Sequence, residues 1–398
     1  MPTSITDQLK VFKEGLIDFV SEEELRQRLG EKRSLRIKYG ADPSTADLHL
    51  GHTVPLRKLK QLQDLGHQVV FIIGDFTARI GDPSQRNEIR PMLSQDQVQQ
   101  NAKTYEEQVF KILDRKKTEI RYNSEWLDQM KPQDFLHLTS QYTVARLLER
   151  DDFQNRYHAK QPIALVEFLY PLLQGYDSVV VKSDIELGGT DQKFNLLVGR
   201  ELQKTWSQKP QMVMTLPLLE GTDGVKKMSK SFGNAININD SPKEIFGKVM
   251  SVPDSLIPRY FQYASGMNAQ EYQPIVEKLC SADPREAKAK LGEQIVGLYY
   301  GREKGAQARE EFDRIFRDKG LPDEIQTVMI SQSQLDIVSL LMEAGLVTSK
   351  GEGRRLIQQG GVKIEQEKVA DQNRKVQLTK QPILIQCGKR KFARVKVR

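Results

Sequence analysis

The run Val69-Val70-Phe71-Ile72-Ile73 has no polar position to turn toward solvent, so a strand built from it must be covered on both faces. A shorter run, Leu35 to Tyr39, precedes it, and a helical pattern over 53–65 ends at Gly66, a residue suited to the left-handed stop of a helix. Strand, helix and strand in this order make a βαβ unit, because parallel strands need a long crossover and that crossover is right-handed. The fold class that follows is α/β, with a parallel sheet of the Rossmann type.

Between the two strands stands Tyr39-Gly40-Ala41-Asp42-Pro43-Ser44-Thr45-Ala46-Asp47-Leu48-His49-Leu50-Gly51-His52. A turn that opens a helix presents unpaired backbone N–H groups, which makes it an anion site. Two histidines and a glycine placed there point to a nucleoside triphosphate. The second strand is followed by Gly74-Asp75 and then Gly81-Asp82-Pro83-Ser84, where doubly wound sheets hold ligands.

Beyond Ser94 the pattern is helical to Leu148, with a brief extended interruption at Arg121-Tyr122-Asn123-Ser124 before Trp126. The polar stretch Arg150–Lys160 reads as a surface loop. A helix over 163–176 carries Tyr170, Gln174 and Asp177 at i, i+4 and i+7, on one face. Val179-Val180-Val181 reads as a strand, and Glu186-Leu187-Gly188-Gly189-Thr190-Asp191-Gln192 as a second strand-to-helix turn. Further on, Lys226-Lys227-Met228-Ser229-Lys230-Ser231 sits in a loop between glycines. Residues 242–318 are helical again, and Gly320-Leu321-Pro322-Asp323 marks a linker.

Charge is divided unevenly. Residues 331–398 hold 14 Lys/Arg and 6 Asp/Glu, whereas the remainder holds 46 and 47. A compact basic module on a neutral body suits a polyanion. No apolar run reaches the roughly 18 residues of a membrane span. The N-terminal residues lack the pattern of a signal peptide. Two cysteines in 398 residues exclude a disulfide framework and a cysteine-based zinc site. These features predict a cytoplasmic protein that touches no membrane.

His49-Leu50-Gly51-His52 and Lys227-Met228-Ser229-Lys230-Ser231, in this order, resemble the two signature motifs of class I aminoacyl-tRNA synthetases. Together with Gly81-Asp82-Pro83-Ser84, Tyr170/Gln174/Asp177 and Gly188-Gly189-Thr190-Asp191-Gln192, the chain is similar to the bacterial tyrosyl-tRNA synthetases of the KMSKS-bearing subgroup. Residues 335–378 resemble the RNA-binding domain of small-subunit ribosomal protein S-four. The resemblance implies a catalytic domain over 1–234 with a helical insertion at about 94–160. A helical anticodon-side domain would follow over 235–320, then a small α+β RNA-binding domain over 331–398.

The reaction implied is activation of L-tyrosine by ATP, with Mg²⁺ but no protein-bound metal site, and transfer of the tyrosyl group to the 3′ end of tRNA(Tyr). His49, His52, Lys227 and Lys230 are implied in catalysis, and Gly51, Asp191, Met228, Ser229 and Ser231 in holding ATP. Asp42, Asp82, Tyr170, Gln174, Asp177 and Gln192 are implied around tyrosine, with Asp177 reading the phenol. Arg354, Arg355 and Lys363 are implied in binding RNA, and a homodimer is the expected assembly. One position departs from the pattern: many tyrosyl enzymes carry a tyrosine four residues before the aspartate matching Asp42, and here that residue is Lys38. Strand alternation turns the adjacent Tyr39 to the other face. The departure leaves tryptophan as an alternative substrate; a non-catalytic RNA-binding relative is a third reading.

Overall fold

The computed structural model describes residues 4–43, 47–83, 94–316, 325–388 and 391–398; Ser44, Thr45, Ala46, Ser84 and the linker at 320–323 lie outside the described residues. Six strands form one sheet: β1 (Asp18–Val20), β2 (Arg36–Ala41), β3 (Gln68–Ile73), β4 (Thr118–Tyr122), β5 (Ile185–Gly189) and β6 (Met212–Leu216). Their spatial order is β1-β6-β5-β2-β3-β4. β1 is antiparallel to β6 and the other four pairings are parallel. The apolar run of β3 is buried on both faces, as a strand with two parallel neighbours requires.

Helix α1 (Leu50–Asp64) makes the crossover from β2 to β3, and Gly66 follows its end with φ +98°. After β4 the chain passes through short helices and then α2 (Leu165–Val181), returning to the other side of β2 as β5. α3 (Lys193–Thr205) packs along α2. The strand order therefore reverses between β2 and β5, the position at which open α/β sheets leave a crevice beyond the strand ends. The pairing between these strands consists of two rungs, Ile37 with Ile185 and Lys38 with Glu186. β2 runs on to Ala41 and β5 to Gly189 without further rungs, so the crevice opens directly above Lys38 and Glu186.

Three expectations need correction. Val179–Val181 is the last turn of α2 rather than a strand, with Val179 and Val181 buried, and Lys182 ends the helix in the left-handed region at φ +50°. Helix propensity differences for valine amount to well under 1 kcal/mol per residue, so packing against the sheet decides. Arg150–Lys160 is a helix over Asp151–His158 rather than a loop; Phe153 and Arg156 are buried, and Arg156 pairs with Glu167 at 2.5 Å. The extended interruption near residue 121 is the end of an edge strand of the main sheet, β4.

The chain divides into two compact units, 1–305 and 306–398. In the first, helices Pro242–Met250, Ile257–Ala264, Ala269–Leu279 and Pro284–Tyr300 follow the sheet. Pro242, Pro258 and Pro284 occupy helix starts, where a missing N–H costs nothing. The second unit contains a five-stranded sheet in the order Glu367–Lys368, Val362–Ile364, Ile383–Cys387, Lys391–Val397, Thr327–Ile330. Helices Ile337–Glu343 and Lys350–Gln358 share a core with it through Leu340, Leu341, Ile357, Val362, Ile385 and Val395.

Candidate active site

The two signature motifs meet at the start of α1. The Leu50 N–H donates to the Ile236 carbonyl at 2.9 Å and the Ile238 N–H to the Leu48 carbonyl at 3.0 Å, so the segment after the lysine-rich loop is stitched alongside the histidine motif. A Cβ placed on Gly51 would lie 3.0 Å from the His49 ring and 3.5 Å from Met228 Cβ. Glycine here keeps the face of the helix start open between the two motifs.

The His49 and His52 rings stack with centroids 3.8 Å apart. His52 Nδ1 accepts the His49 backbone N–H at 3.2 Å. Burial, followed by the Lys230 and Lys227 charges, lowers His52 to about pKa 4. Burial, then the neighbouring His52 and Lys230, holds His49 well below its ordinary value. Both rings are neutral at pH 7. With Nδ1 of His52 acting as acceptor, its single proton is on Nε2, free to donate to an anionic oxygen.

Lys227 Nζ lies 3.0 Å from Asp191 Oδ2, and Lys230 Nζ 2.8 Å from Asp47 Oδ2. The hydrogen bond from Lys230 holds Asp47 below the usual carboxylate range. Met228 is buried, the Ser229 N–H donates to Asn234 Oδ1 at 2.8 Å, and the Ser229 and Ser231 hydroxyls are 2.9 Å apart. The lysines thus face the histidines from the far side of one site, each held by a carboxylate.

Across the crevice the α2 face forms a second subsite. Tyr170 donates its hydroxyl proton to Asp42 Oδ2 at 2.9 Å, and Thr77 donates to Asp42 Oδ1 at 2.7 Å. A Cβ on Gly74 would come within 2.1 Å of Asp42 Oδ1, so only glycine lets that carboxylate sit over the end of β3. Gln192 Nε2 donates to Asp82 Oδ2 at 2.7 Å. Asn195 donates to both Gln174 Oε1, at 2.9 Å, and Gln192 Oε1, at 3.0 Å. Arg150, itself buried, reaches Asp82 at 3.6 Å and Asp152 at 2.7 Å. This end is rich in acceptors and suits an ammonium group.

Asp177 lies two turns further along α2, about 10 Å along the axis at 1.5 Å per residue. Its carboxylate accepts from Trp126 Nε1 at 2.9 Å and Asn123 Nδ2 at 3.3 Å. Burial raises its pKa to about 7, against the lowering effect of the Lys38 charge and these two donors. A ligand with an ammonium at one end and a hydroxyl at the other fits the spacing between the acceptor cluster and Asp177.

Lys38 takes no part in lining this pocket with an aromatic ring: its ammonium is buried and paired with Glu186 at 2.7 Å. Tyr39 points to the opposite face as alternation demands, its ring 5.6 Å from that of Phe71. Asn123, Trp126 and Arg150 were not identified from sequence and reach the pocket from segments that carry no motif; Thr77 and Asn195 lie within or directly after the glycine-rich turns and were not singled out there. The extended break before Trp126 was the one visible signal. In the C-terminal unit, Arg354 and Arg355 are exposed on the helix Lys350–Gln358 and Lys363 is exposed on the strand Val362–Ile364.

Residues 30–317 match the family model for tRNA synthetases class I (W and Y). The chain belongs to this family. Residues 318–395 of the synthetase match the model of the tyrosine–tRNA ligase SYY-like C-terminal domain. The tyrosine–tRNA ligase of Thermotoga maritima is 52% identical over 394 residues, covering 98% of this chain and 97% of its own. That of Chlorobaculum tepidum is 49% identical over 396 residues, with 98% and 97% covered. Among solved structures, a C-terminally truncated mitochondrial tyrosyl-tRNA synthetase of Aspergillus nidulans superposes with a TM-score of 0.66 at 22% identity, over 79% of this chain and 94% of that one. The tyrosyl-tRNA synthetase of Archaeoglobus fulgidus, solved with L-tyrosine, gives 0.64 at 22% identity over 77% and 100%. These two likenesses establish the fold of the synthetase.

Proposed function

We infer that the synthetase is a tyrosine–tRNA ligase: it activates L-tyrosine with ATP and then charges tRNA(Tyr). Near-full-length identity of about half to curated tyrosine–tRNA ligases supports the reading. Within the molecule it rests on one observation, the buried Asp177 carboxylate placed two helical turns along α2 from Tyr170 and the Asp42 carboxylate it bonds, with Asp82, Gln174 and Gln192 completing the acceptor cluster.

In the first step a carboxylate oxygen of tyrosine attacks the α-phosphorus of ATP, and the bond to pyrophosphate breaks. The nucleophile is already ionised, so the protein's work is alignment and stabilisation of charge on the departing phosphates. His49 and His52, both neutral and His52 pre-set as an Nε2 donor, bond the triphosphate at the start of α1. Gly51 leaves room for the adenine, and Asp191 and the Met228–Ser231 segment border it. Lys227 and Lys230 leave Asp191 and Asp47 for the more highly charged phosphates. In the second step a ribose hydroxyl at the tRNA 3′ end attacks the tyrosyl carbonyl and AMP departs.

At the other end, the phenol donates to Asp177. Phenylalanine in that place leaves the buried carboxylate without the proton donor that the phenol supplies, a mismatch worth about 10⁴–10⁵ in selectivity. Mg²⁺ enters as the MgATP complex. Phosphate and water oxygens supply its ligands.

The basic residues Arg354, Arg355 and Lys363 of the region over 331–398 bind tRNA phosphates, with 1–234 catalytic and 235–320 on the anticodon side. A homodimer is supported by exposed apolar side chains concentrated in the insertion and the start of α2: Leu136, Val144, Tyr157, Leu165 and Val166. Sedimentation of the wild type and of Leu165→Glu tests it; a wild-type monomer at micromolar concentration refutes the assembly. The synthetase works in the cytoplasm, where its substrates are; no helix among the described residues is long and apolar enough to cross a membrane.

ATP–pyrophosphate exchange with tyrosine, tryptophan and phenylalanine in parallel tests the substrate. Tyrosine-dependent exchange is expected; exchange driven by tryptophan instead would assign the other branch of the family.

A further inference from the structure

Lys38 is one of the largest fully buried side chains in the molecule, and it carries a charge. Its ammonium donates to the Gln174 carbonyl at 2.8 Å and to the Ser178 hydroxyl at 2.7 Å, two α2 positions that flank Asp177. Its ion-pair partner, Glu186 Oε1, stands at 2.7 Å on the neighbouring strand β5. The second Glu186 oxygen accepts from Ser178 at 2.9 Å and from Gln211. These two residues form the last rung between β2 and β5, the floor of the crevice. The pair is oriented: its positive end is fastened to the Gln174 carbonyl and the Ser178 hydroxyl on the helix that bears Asp177, and its negative end is shared between Ser178 and Gln211.

We propose that Lys38 is a positioning residue for tyrosine selection, fastening the Asp177 turn of α2 to the sheet and supplying the positive charge that keeps Asp177 an acceptor. The proposal rests on Asp177 reading the phenol hydroxyl.

The alternatives for that pocket floor show why a charge is useful there. Asp177 is fully enclosed, and enclosure favours the neutral acid, which cannot accept two protein donors and a phenol proton together. The donors Trp126 and Asn123 are neutral. Of the other groups around it, Tyr170 lies on its own helix and spends its proton on Asp42, and Arg121 stacks over the outer face of Trp126 at 5.2 Å from the ring centroid. Glu186 opposes ionisation of Asp177 and Lys38 favours it. A tyrosine at position 38 would offer a second hydroxyl to the ligand; the lysine instead acts on the carboxylate that receives the ligand's own proton. Selection by one carboxylate can then suffice.

Removing Lys38 alone leaves Glu186 as an unpaired buried charge, which can prevent folding. The informative variants are the double substitution Lys38→Met with Glu186→Gln, and Glu186→Gln alone. The readout is kcat/KM for tyrosine in pyrophosphate exchange between pH 5.5 and 9, with the tyrosine-to-phenylalanine ratio at each pH. The acid limb of kcat/KM reports ionisation in the free enzyme. In the wild type it is expected near the Asp177 value of about 7. In the double variant it is expected to rise by about one unit, with selectivity at pH 7 reduced about fivefold and recovering at high pH. Glu186→Gln alone is expected to move the limb the other way. A limb that stays in place, or moves in the same direction in both variants, overturns the proposal. Asp177→Asn separates the two levels: it is expected to abolish the limb and most of the selectivity. If it keeps both, the reading of Asp177 falls and the proposal with it; if it abolishes them while the Lys38 variants leave the limb unmoved, the proposal alone is overturned.

Discussion

Lys230 of the lysine-rich loop is paired with Asp47 of the loop before the histidine motif, Nζ to Oδ2 at 2.8 Å, with both side chains partly open to water. Such a half-exposed pair contributes only about 0–1 kcal/mol, so a triphosphate can take the lysine over at little cost. Asp47 holds the cation close to where it is needed without holding it tightly.

Lys230→Ala is therefore expected to slow adenylate formation by about 10²–10³, the usual loss for one charge-stabilising donor. Tyrosine affinity and thermal stability should change little. Pyrophosphate exchange, equilibrium tyrosine binding and a melting curve check all three; unchanged exchange would remove Lys230 from the mechanism.

Asp177 makes a prediction for stability as well as for catalysis. Its folded pKa of about 7 lies above the ordinary carboxylate value, so the folded state keeps a proton that the unfolded chain releases. This group's contribution is fully stabilising below the ordinary value and is lost as pH rises to about 7, by at most about 4 kcal/mol at 1.36 kcal/mol per unit. Asp177→Asn does not titrate, so its stability relative to wild type should climb between pH 4 and 7 and then level. Denaturant titrations at intervals across that range measure it.

Gly74→Ala places a methyl group into Asp42 and the Thr77 hydroxyl. Overpacking of this kind costs about 1–3 kcal/mol, and here the carboxylate is displaced from Tyr170. A KM for tyrosine raised at least tenfold, with the KM for ATP little changed, is the expected result.

The basic C-terminal region is expected to serve tRNA and not activation. Thr327–Ile330 pairs with Lys391–Val397, so a clean truncation removes residues 318–398 rather than starting at 331. The truncated enzyme should retain tyrosine-dependent exchange and lose charging. The dependence of tRNA binding on salt should weaken as phosphate contacts are lost. Charging that survives truncation would refute the role.

The histidine and lysine motifs were legible because each is contiguous: a strand end, a turn and a helix start fix the first locally, and a glycine-flanked loop carries the second. The pocket's second ring was not. Trp126 and Asn123 reach Asp177 from beyond an edge strand that looked like a pause in a helical stretch, and Arg150 comes from a segment read as a surface loop. Val179–Val181 shows the same limit in reverse, since a run of β-branched residues carries strand propensity and still closes a helix when both its faces are packed.

By itself the sequence determined a parallel α/β sheet, one signature motif at a strand-to-helix turn and a second in a glycine-flanked loop, the Tyr170/Gln174/Asp177 helix face and a basic C-terminal module. It also marked Lys38 as a departure but could not say what a lysine does there. Only the tertiary structure decided that, because the role depends on a partner 148 residues away: β5 returns beside β2, sets Glu186 opposite Lys38 on the last shared rung, and leaves the ammonium aimed at the turn that carries Asp177. A buried charge is defined by what surrounds it, and what surrounds this one is brought together only when the sheet closes.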